Sequence, residues 1–439
     1  MVTVLGMRGT GSWTTVQTVQ SYRAAMLRLY PKGDMRLTGI ISQLGSEKID
    51  NWKYDWQSKD FPGQFGSVTA VYTDDALATA YVSGATAGSV LYFKVPLATA
   101  YHFRKGHQVL LRMVPSGGVA GDLTLDTIGK VLSVVRNGAD SKIVVTLSEA
   151  DNNSTHTHDL SDCNWIQVVG NVNAQGGAAP APLSYEPTWY YNLTQIYRTS
   201  LWLTRTAMRT RLKGPQAYEE AKREALELHG VEMENSLISS IRTEGTGENG
   251  EPENTIMGLL EFIKTYAPDN VDDFTYNTDY SGSTWLEAGE DWLNTFLFKI
   301  FQYGDSNERL IICGDGALAG FDKIAMNVGT MSITPETTTY GLDIRTWKHP
   351  KGTARLMTHP LFNLGSSADY YRAIVLDPKN IEYKYIDDTT FYPDKGMTEA
   401  NGPGRIDAKS EEFLTECTYA FMYPKTFGIF DGVGVDNVL

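Results

Sequence analysis

Apolar residues change their spacing several times along the chain, and each change marks an element. Residues 1 to about 25 are polar and glycine-containing, and Tyr22–Leu29 offers a short apolar stripe closed by Pro31 and Gly33. An extended arm leading into a small docked helix is expected. Leu37–Leu44 repeats the helix-like spacing. Trp52, Tyr54, Trp56, Phe61 and Phe65 then crowd a ribbon in which Pro62 and Gly63 forbid regular helix. Between about residues 90 and 170 the period becomes that of strands, over Val90–Val95, Val109–Val114, Gly129–Val135, Lys142–Leu147 and Trp165–Val169. Five such runs separated by glycine and polar turns predict a small β-barrel or sandwich. The linker AQGGAAPAP, residues 174–182, marks this β module as an insert or protrusion on a larger body.

Beyond the linker, Gly214-Pro215 opens a proline-free stretch from Gln216 to about Ile241. Ala217, Ala221, Ala225, Leu228, Asn235 and Ile238 recur at spacings near three and four, while Glu219, Glu220, Lys222 and Arg223 occupy the opposite face in positions suited to paired charges. A helix of about 25 residues would be roughly 38 Å long, a strut rather than an average globular helix. Gly230 lies in its interior, where slight bending is expected. The glycine-rich, acidic stretch Thr243–Asn254 reads as a mobile loop. Helices are expected over Thr255–Tyr266, Thr284–Phe301 and Asp315–Val328, and a buried strand over Arg309–Ile312. Strands return over Thr339–Trp347, Thr353–Thr358, Tyr371–Leu376, Ile381–Tyr385 and Glu416–Met422. A mixed α+β body follows from this order.

Composition narrows the function classes. The 439 residues are 42% hydrophobic and 11% aromatic, which is the profile of an ordered globular protein. With 38 basic against 52 acidic side chains the formal net charge is −14, which argues against a dedicated nucleic-acid binder but not against a container that touches its cargo weakly. Cys163, Cys313 and Cys417 lie far apart with no CxxC, so a disulfide scaffold and a zinc knuckle are not expected. The opening MVTVLGMRGTGSW lacks the pattern of a signal peptide, and the least polar region, residues 68–101, is interrupted by Asp74, Asp75 and Lys94.

Candidate chemistry is sparse. His156 and His158, with Asp159, Asp162 and Cys163 after them, have a spacing that can bind zinc when a third ligand arrives from elsewhere, but they sit in a polar segment without an HExxH companion. CGDGALAG, residues 313–320, lacks the Lys-Ser/Thr of a phosphate loop and reads as a strand end followed by a helix start. No catalytic residue, cofactor-binding residue, metal ligand or cofactor is assigned.

Several segments, taken in order, carry a resemblance. SYRAAMLRLYPKGDMRLTGIISQL is followed by NWKYDWQSKD, and HFRKGHQVLLRM opens the β module with His107 where an acidic residue is commoner. YYNLTQIYRTSLWLTRTA (190–207) holds an N-x-x-Q-I motif and precedes the long-helix segment AYEEAKREALELHGVEMENSLI (217–238), with its late Glu232. NTIMGLLEFI (254–263) and YYRAIVLDPKNIEYKYIDD (370–388) complete the set, with an extra acidic loop around 242–256. The pattern resembles the major capsid proteins of SU10-like tailed phages, within the HK97-fold superfamily.

The resemblance implies an HK97-like α+β capsid fold. Residues 1–65 would form the N-terminal arm and the start of the P domain and E-loop; 66–175 the E-loop region with an inserted small β-barrel-like module; 176–254 the linker and P domain, with the spine helix at about 215–241; 255–345 largely the A domain; and 346–439 the end of the A domain and the return to the P domain. It implies a non-enzymatic shell protein of the virion, self-associating as hexamers and pentamers. Expected partners are a scaffolding protein, a portal, a possible decoration protein and non-specifically touched double-stranded DNA, with no membrane. An encapsulin-like compartment shell and a metal-dependent hydrolase using His156 and His158 are the alternatives. Trp52, Trp56, Phe61 and Phe65 are expected at contacts between subunits, where aromatic anchors concentrate binding energy. The basic run Arg198, Arg205, Arg209, Arg211 and Lys213 is expected to meet the acidic residues 244–253 of a neighbour.

Overall fold

The computed structural model describes residues 46–59, 63–113, 126–151, 159–176, 179–209, 217–328, 334–339, 342–364, 367–393 and 408–439. The chain divides into two compact units, one formed by the segments through Ser58 and from Trp189 onward, the other by Lys59–Thr188. In the first unit the chain begins with β1 (Ser46–Lys48) and β2 (Lys53–Ser58).

The second unit is built on β3 (Phe65–Ser67), β4 (Ala70–Tyr72), β5 (Val90–Lys94), β6 (His107–Arg112), β7 (Asp126–Val135), β8 (Lys142–Leu147) and β9 (Trp165–Asn171), with a short helix α1 (Leu97–Ala100). Five of these lie where apolar runs predict strands, and β3 and β4 extend them to a seven-stranded antiparallel sheet of order β3-β9-β6-β7-β8-β5-β4. The two edge strands are consecutive in sequence, joined only by Val68 and Thr69. That link draws the two edges together, so the sheet curls into a barrel-like module. Its interior holds Phe93, Phe103, Val109, Leu111, Val131, Ile143, Val145 and Ile166, all wholly buried.

The first unit continues through β10 (Thr188–Leu193), β11 (Gln195–Thr204), helix α2 (Arg205–Arg209), the long helix α3 (Ala217–Ser239), the hairpin strands β12 (Thr243–Thr246) and β13 (Pro252–Thr255), and helix α4 (Leu259–Tyr266). The stretch expected as a loop is thus an antiparallel hairpin, with Gly250 at φ 81° supplying the left-handed residue of its turn. Next come β14 (Val271–Asp273), α5 (Trp285–Phe301), β15 (Glu308–Cys313), α6 (Asp315–Val328), β16 (Thr334–Thr339), β17 (Leu342–His349) and β18 (Gly352–Thr358). Short helices α7 (Pro360–Leu364) and α8 (Ser367–Tyr370) lead into β19 (Ala373–Leu376), β20 (Ile381–Tyr392), β21 (Ala408–Phe421) and β22 (Gly428–Asp431).

Two larger sheets organise this unit. One has four strands in the order β1-β20-β21-β11; the other has seven, β14-β22-β19-β15-β18-β17-β16. β15 runs parallel to β18 and antiparallel to β19, and its Leu310–Cys313 are buried on both faces, which explains an unbroken apolar run rather than an alternating one. Helices α5 and α6 share a core with this sheet, centred on Trp285, Trp292, Phe321 and Trp347. A second core joins α3 and α4 to both sheets through Met233, Leu237, Phe262, Ile312, Tyr419 and Phe421. At the N-cap of α4, a Cβ on Gly258 would lie 2.8–2.9 Å from backbone atoms of Ser236 and Ser240, so only glycine lets α4 press against the end of α3.

Candidate functional site in the long helix and its flanks

Helix α3 runs back along β11. Leu201 packs with Ala225 and Leu226 near the start of the helix, and Thr199 lies against His229 farther along. The face turned inward consists of Ala225, Leu226, His229, Gly230, Met233, Glu234, Leu237 and Ile238, two adjacent rows at a four-residue spacing. This corrects the expected stripe: Leu228 is 53% exposed and Asn235 is exposed as well. The stripe was misplaced because two polar residues occupy the buried seam.

Those residues are each satisfied. His229 is wholly buried, with Nδ1 3.0 Å from Thr199 Oγ1 and Nε2 2.8 Å from Thr415 Oγ1. Thr415 in turn donates to Thr389 Oγ1 at 2.9 Å, so its oxygen is left to accept from Nε2–H, and Nδ1 accepts from Thr199. Burial pushes the His229 imidazole down to about 4, which keeps it neutral near pH 7. One turn on, Glu234 Oε1 lies 2.9 Å from His359 Nε2, both side chains having no exposed area. His359 Nδ1 accepts from the Leu361 amide at 3.3 Å, so the ring proton sits on Nε2 and faces the carboxylate. Because His359 lies between β18 and α7, this contact fastens the helix on the four-stranded sheet to the exit of a strand in the seven-stranded one.

The N-x-x-Q-I motif has a matching physical role. Asn192 donates to Met257 O at 3.2 Å and Tyr419 O at 2.9 Å, and its oxygen accepts from Met257 N at 2.7 Å. Gln195 Oε1 accepts from Ile256 N at 3.1 Å. The two side chains pin the segment that returns from the hairpin onto the sheet. Beside the hairpin, a cleft of about 730 Å³ is lined by Trp52, Ile196, Glu244, Glu253 and Glu416 among others.

The aromatic ribbon divides. Trp56 is only 6% exposed, stacked between Tyr54 and Tyr190, and its Nε1 donates to Phe421 O at 3.0 Å. It fills the core of its own subunit, which corrects its expected place at a subunit contact. Trp52 and Phe65 are 47% and 46% exposed, and Phe61 lies outside the described residues. In the basic run, Arg198 forks onto Glu412 of the same chain with contacts of 2.7 and 2.9 Å, so it is engaged within the subunit. Arg205 and Arg209 are exposed, and Arg211 and Lys213 lie outside the described residues. So do His156 and His158. Asp159 caps a short turn by accepting from Ser161 N at 2.8 Å, and burial pushes the Cys163 thiol up to about 12, so the free thiol stays protonated near pH 7. Among the described residues no group of three or more His, Cys, Asp or Glu is arranged to hold a metal, and no helix is long and apolar enough to cross a membrane.

With this geometry in view, the chain is similar to the shell proteins of phages. A major capsid protein of Pseudomonas phage PaMx41 is 23% identical over 429 residues, covering 94% of this chain and 92% of that one. Among solved structures, the holo-SrpI encapsulin complex from Synechococcus elongatus PCC 7942 is 14% identical, covers 56% of this chain and 76% of its own, and superposes with a TM-score of 0.38. The Cyanophage Pam1 capsid asymmetric unit is 9% identical, with 61% and 81% covered and a TM-score of 0.37. The family model for the SU10 major capsid protein matches residues 9–434, and the chain belongs to that family. Its function is that of a phage major capsid protein, its mixed helices and strands give the expected α+β class, and its place is the capsid of the virion.

Proposed function

We propose that the chain associates as hexamers and pentamers into an icosahedral or prolate head around double-stranded DNA, and that it does so without catalysis. The observation that supports this most is the long helix, seated on one sheet by a satisfied polar seam and fastened to the second sheet through Glu234 and His359. A subunit braced this way transmits force along its length instead of hinging. In this reading α3 is the spine helix, the four-stranded sheet belongs to the P domain, the seven-stranded sheet to the A domain, and the curled module to the E-loop region. The net charge of −14 suits weak, non-specific contact with packaged DNA. A scaffolding protein, a portal and a decoration protein complete the proposed set of partners.

The test is assembly of the full chain, alone and with its scaffolding protein, followed by size-exclusion chromatography and electron microscopy. Closed shells with five- and six-fold capsomers are expected. Persistent monomers with zinc-dependent hydrolysis that disappears in His156→Ala and His158→Ala would overturn the proposal, and closed shells loaded with protein cargo would point to a compartment instead.

A further inference from the structure

The basic and acidic ends of the strut are too far apart to meet in one chain. Helix α2 precedes the N-terminus of α3, and the β12–β13 hairpin follows its C-terminus. The 23 residues of α3 place them about 34 Å apart along the helix axis. At the hairpin end, two apolar side chains in the open line the cleft, Trp52 47% and Ile196 56% exposed. Glu244 and Glu253 also line it, with no ion-pair partner among the described residues, and Glu416 accepts from Thr194 Oγ1 at 2.9 Å. An open indole beside carboxylates is a receptor for a planar cation: the ring face attracts a guanidinium, and a carboxylate takes two of its N–H groups at once. At the opposite end, Arg205 and Arg209 are exposed and lie one helical turn apart, on one face of α2.

We propose that this cleft is a socket between subunits, in which the α2 end of a second copy of the chain seats Arg209 against Trp52 and Glu253, with Arg205 alongside. This rests on the self-assembly reading and adds a direction to it. Donor and receptor are different surfaces at opposite ends of one helix, so the contact is head-to-tail. Such a contact repeats around a ring, whereas a two-fold dimer would pair one patch with itself. A rival occupant is the chain's own N-terminal segment, which carries Arg8, Arg23, Arg28, Lys32 and Arg36 against a single acidic residue, Asp34.

Charge reversal with exchange tests the socket in the full-length chain under assembly conditions. Arg209→Glu and Glu253→Lys are each expected to lower the yield of assembled particles about tenfold, and the double exchange to restore most of it. Single reversals that assemble like the wild type, or a double exchange no better than the worse single, would overturn the socket while leaving the shell reading intact. A second measurement does not need closed shells. The Arg209→Lys variant, mixed in two isotopic forms and treated with a carbodiimide, is expected to give mixed-isotope links from residue 209 to Glu244 or Glu253. Such links in rings that never close would keep the socket and sink the shell. Links to Glu244 or Glu253 from Lys32 alone would assign the cleft to the N-terminal segment and sink the socket.

Discussion

Glu234 and His359 meet at 2.9 Å with neither side chain exposed, one from the long helix and the other from the turn after β18. A buried partner of this kind is costly to remove, because the group left behind has lost both water and its counterpart. His359→Ala should therefore destabilise the folded chain by about 3–5 kcal/mol, whereas Glu234→Gln, which keeps an oxygen for Nε2–H, should cost less. Urea unfolding of the two variants would show the difference. Equal midpoints would mean that the contact does not brace the helix.

His229 makes a prediction about acid. Its imidazole titrates near 4 in the fold, below its ordinary 6.5, because burial disfavours the charged form. Between those values the unfolded chain binds a proton that the folded chain does not, so stability is full above about 6.5, falls as the pH drops and levels off below about 4. The contribution is on the order of 3 kcal/mol. Burial lowers His107 and His349 as well, so His229→Gln should flatten, not abolish, the slope of the urea midpoint against pH in this window.

Much of the fold was legible because it follows simple periods. Helix α6 spans the residues its apolar spacing predicts, and α5 begins one residue after Thr284, whose reciprocal contact with Glu287 forms a capping box. The strands of the curled module lie within a few residues of their expected positions. What was hidden was polar. His229, Glu234 and His359 carry no mark of burial in the sequence, because nothing there shows that Thr199, Thr415 and each other will meet them inside. The only trace was negative: the apolar stripe of the long helix was thin. The hairpin at Thr243–Thr255 was hidden for a related reason, since all of its first strand is exposed and no buried face set an alternating pattern.

Asn192 is the residue that turns a short motif into a mechanical joint. Its amide is bonded to Met257 N, Met257 O and Tyr419 O, three backbone groups that have no water to turn to. Asn192→Ala would strand them at a cost of about 3 kcal/mol, and Asn192→Asp would keep the acceptor but lose both donated bonds. Hydrogen exchange should localise the damage, with amides of residues 256–257 exchanging faster in both variants while those of the curled module stay protected.

Trp52 and Trp56 lie on the same ribbon and should respond in opposite ways. Trp56→Ala empties a site between Tyr54 and Tyr190 and breaks the bond to Phe421 O, so a loss of about 3–5 kcal/mol is expected from the cavity and the lost contacts. Trp52 has nearly half its surface in solvent, and Trp52→Ala should change the stability of the isolated subunit by only about 0.5 kcal/mol. Its effect belongs to association, because an exposed indole lining a cleft contributes once a partner covers it. Thermal unfolding of the unassembled chain should thus single out Trp56→Ala, and particle yield at matched stability should single out Trp52→Ala. If Trp52→Ala assembled at wild-type yield, the ring would be a surface residue of no consequence to the shell.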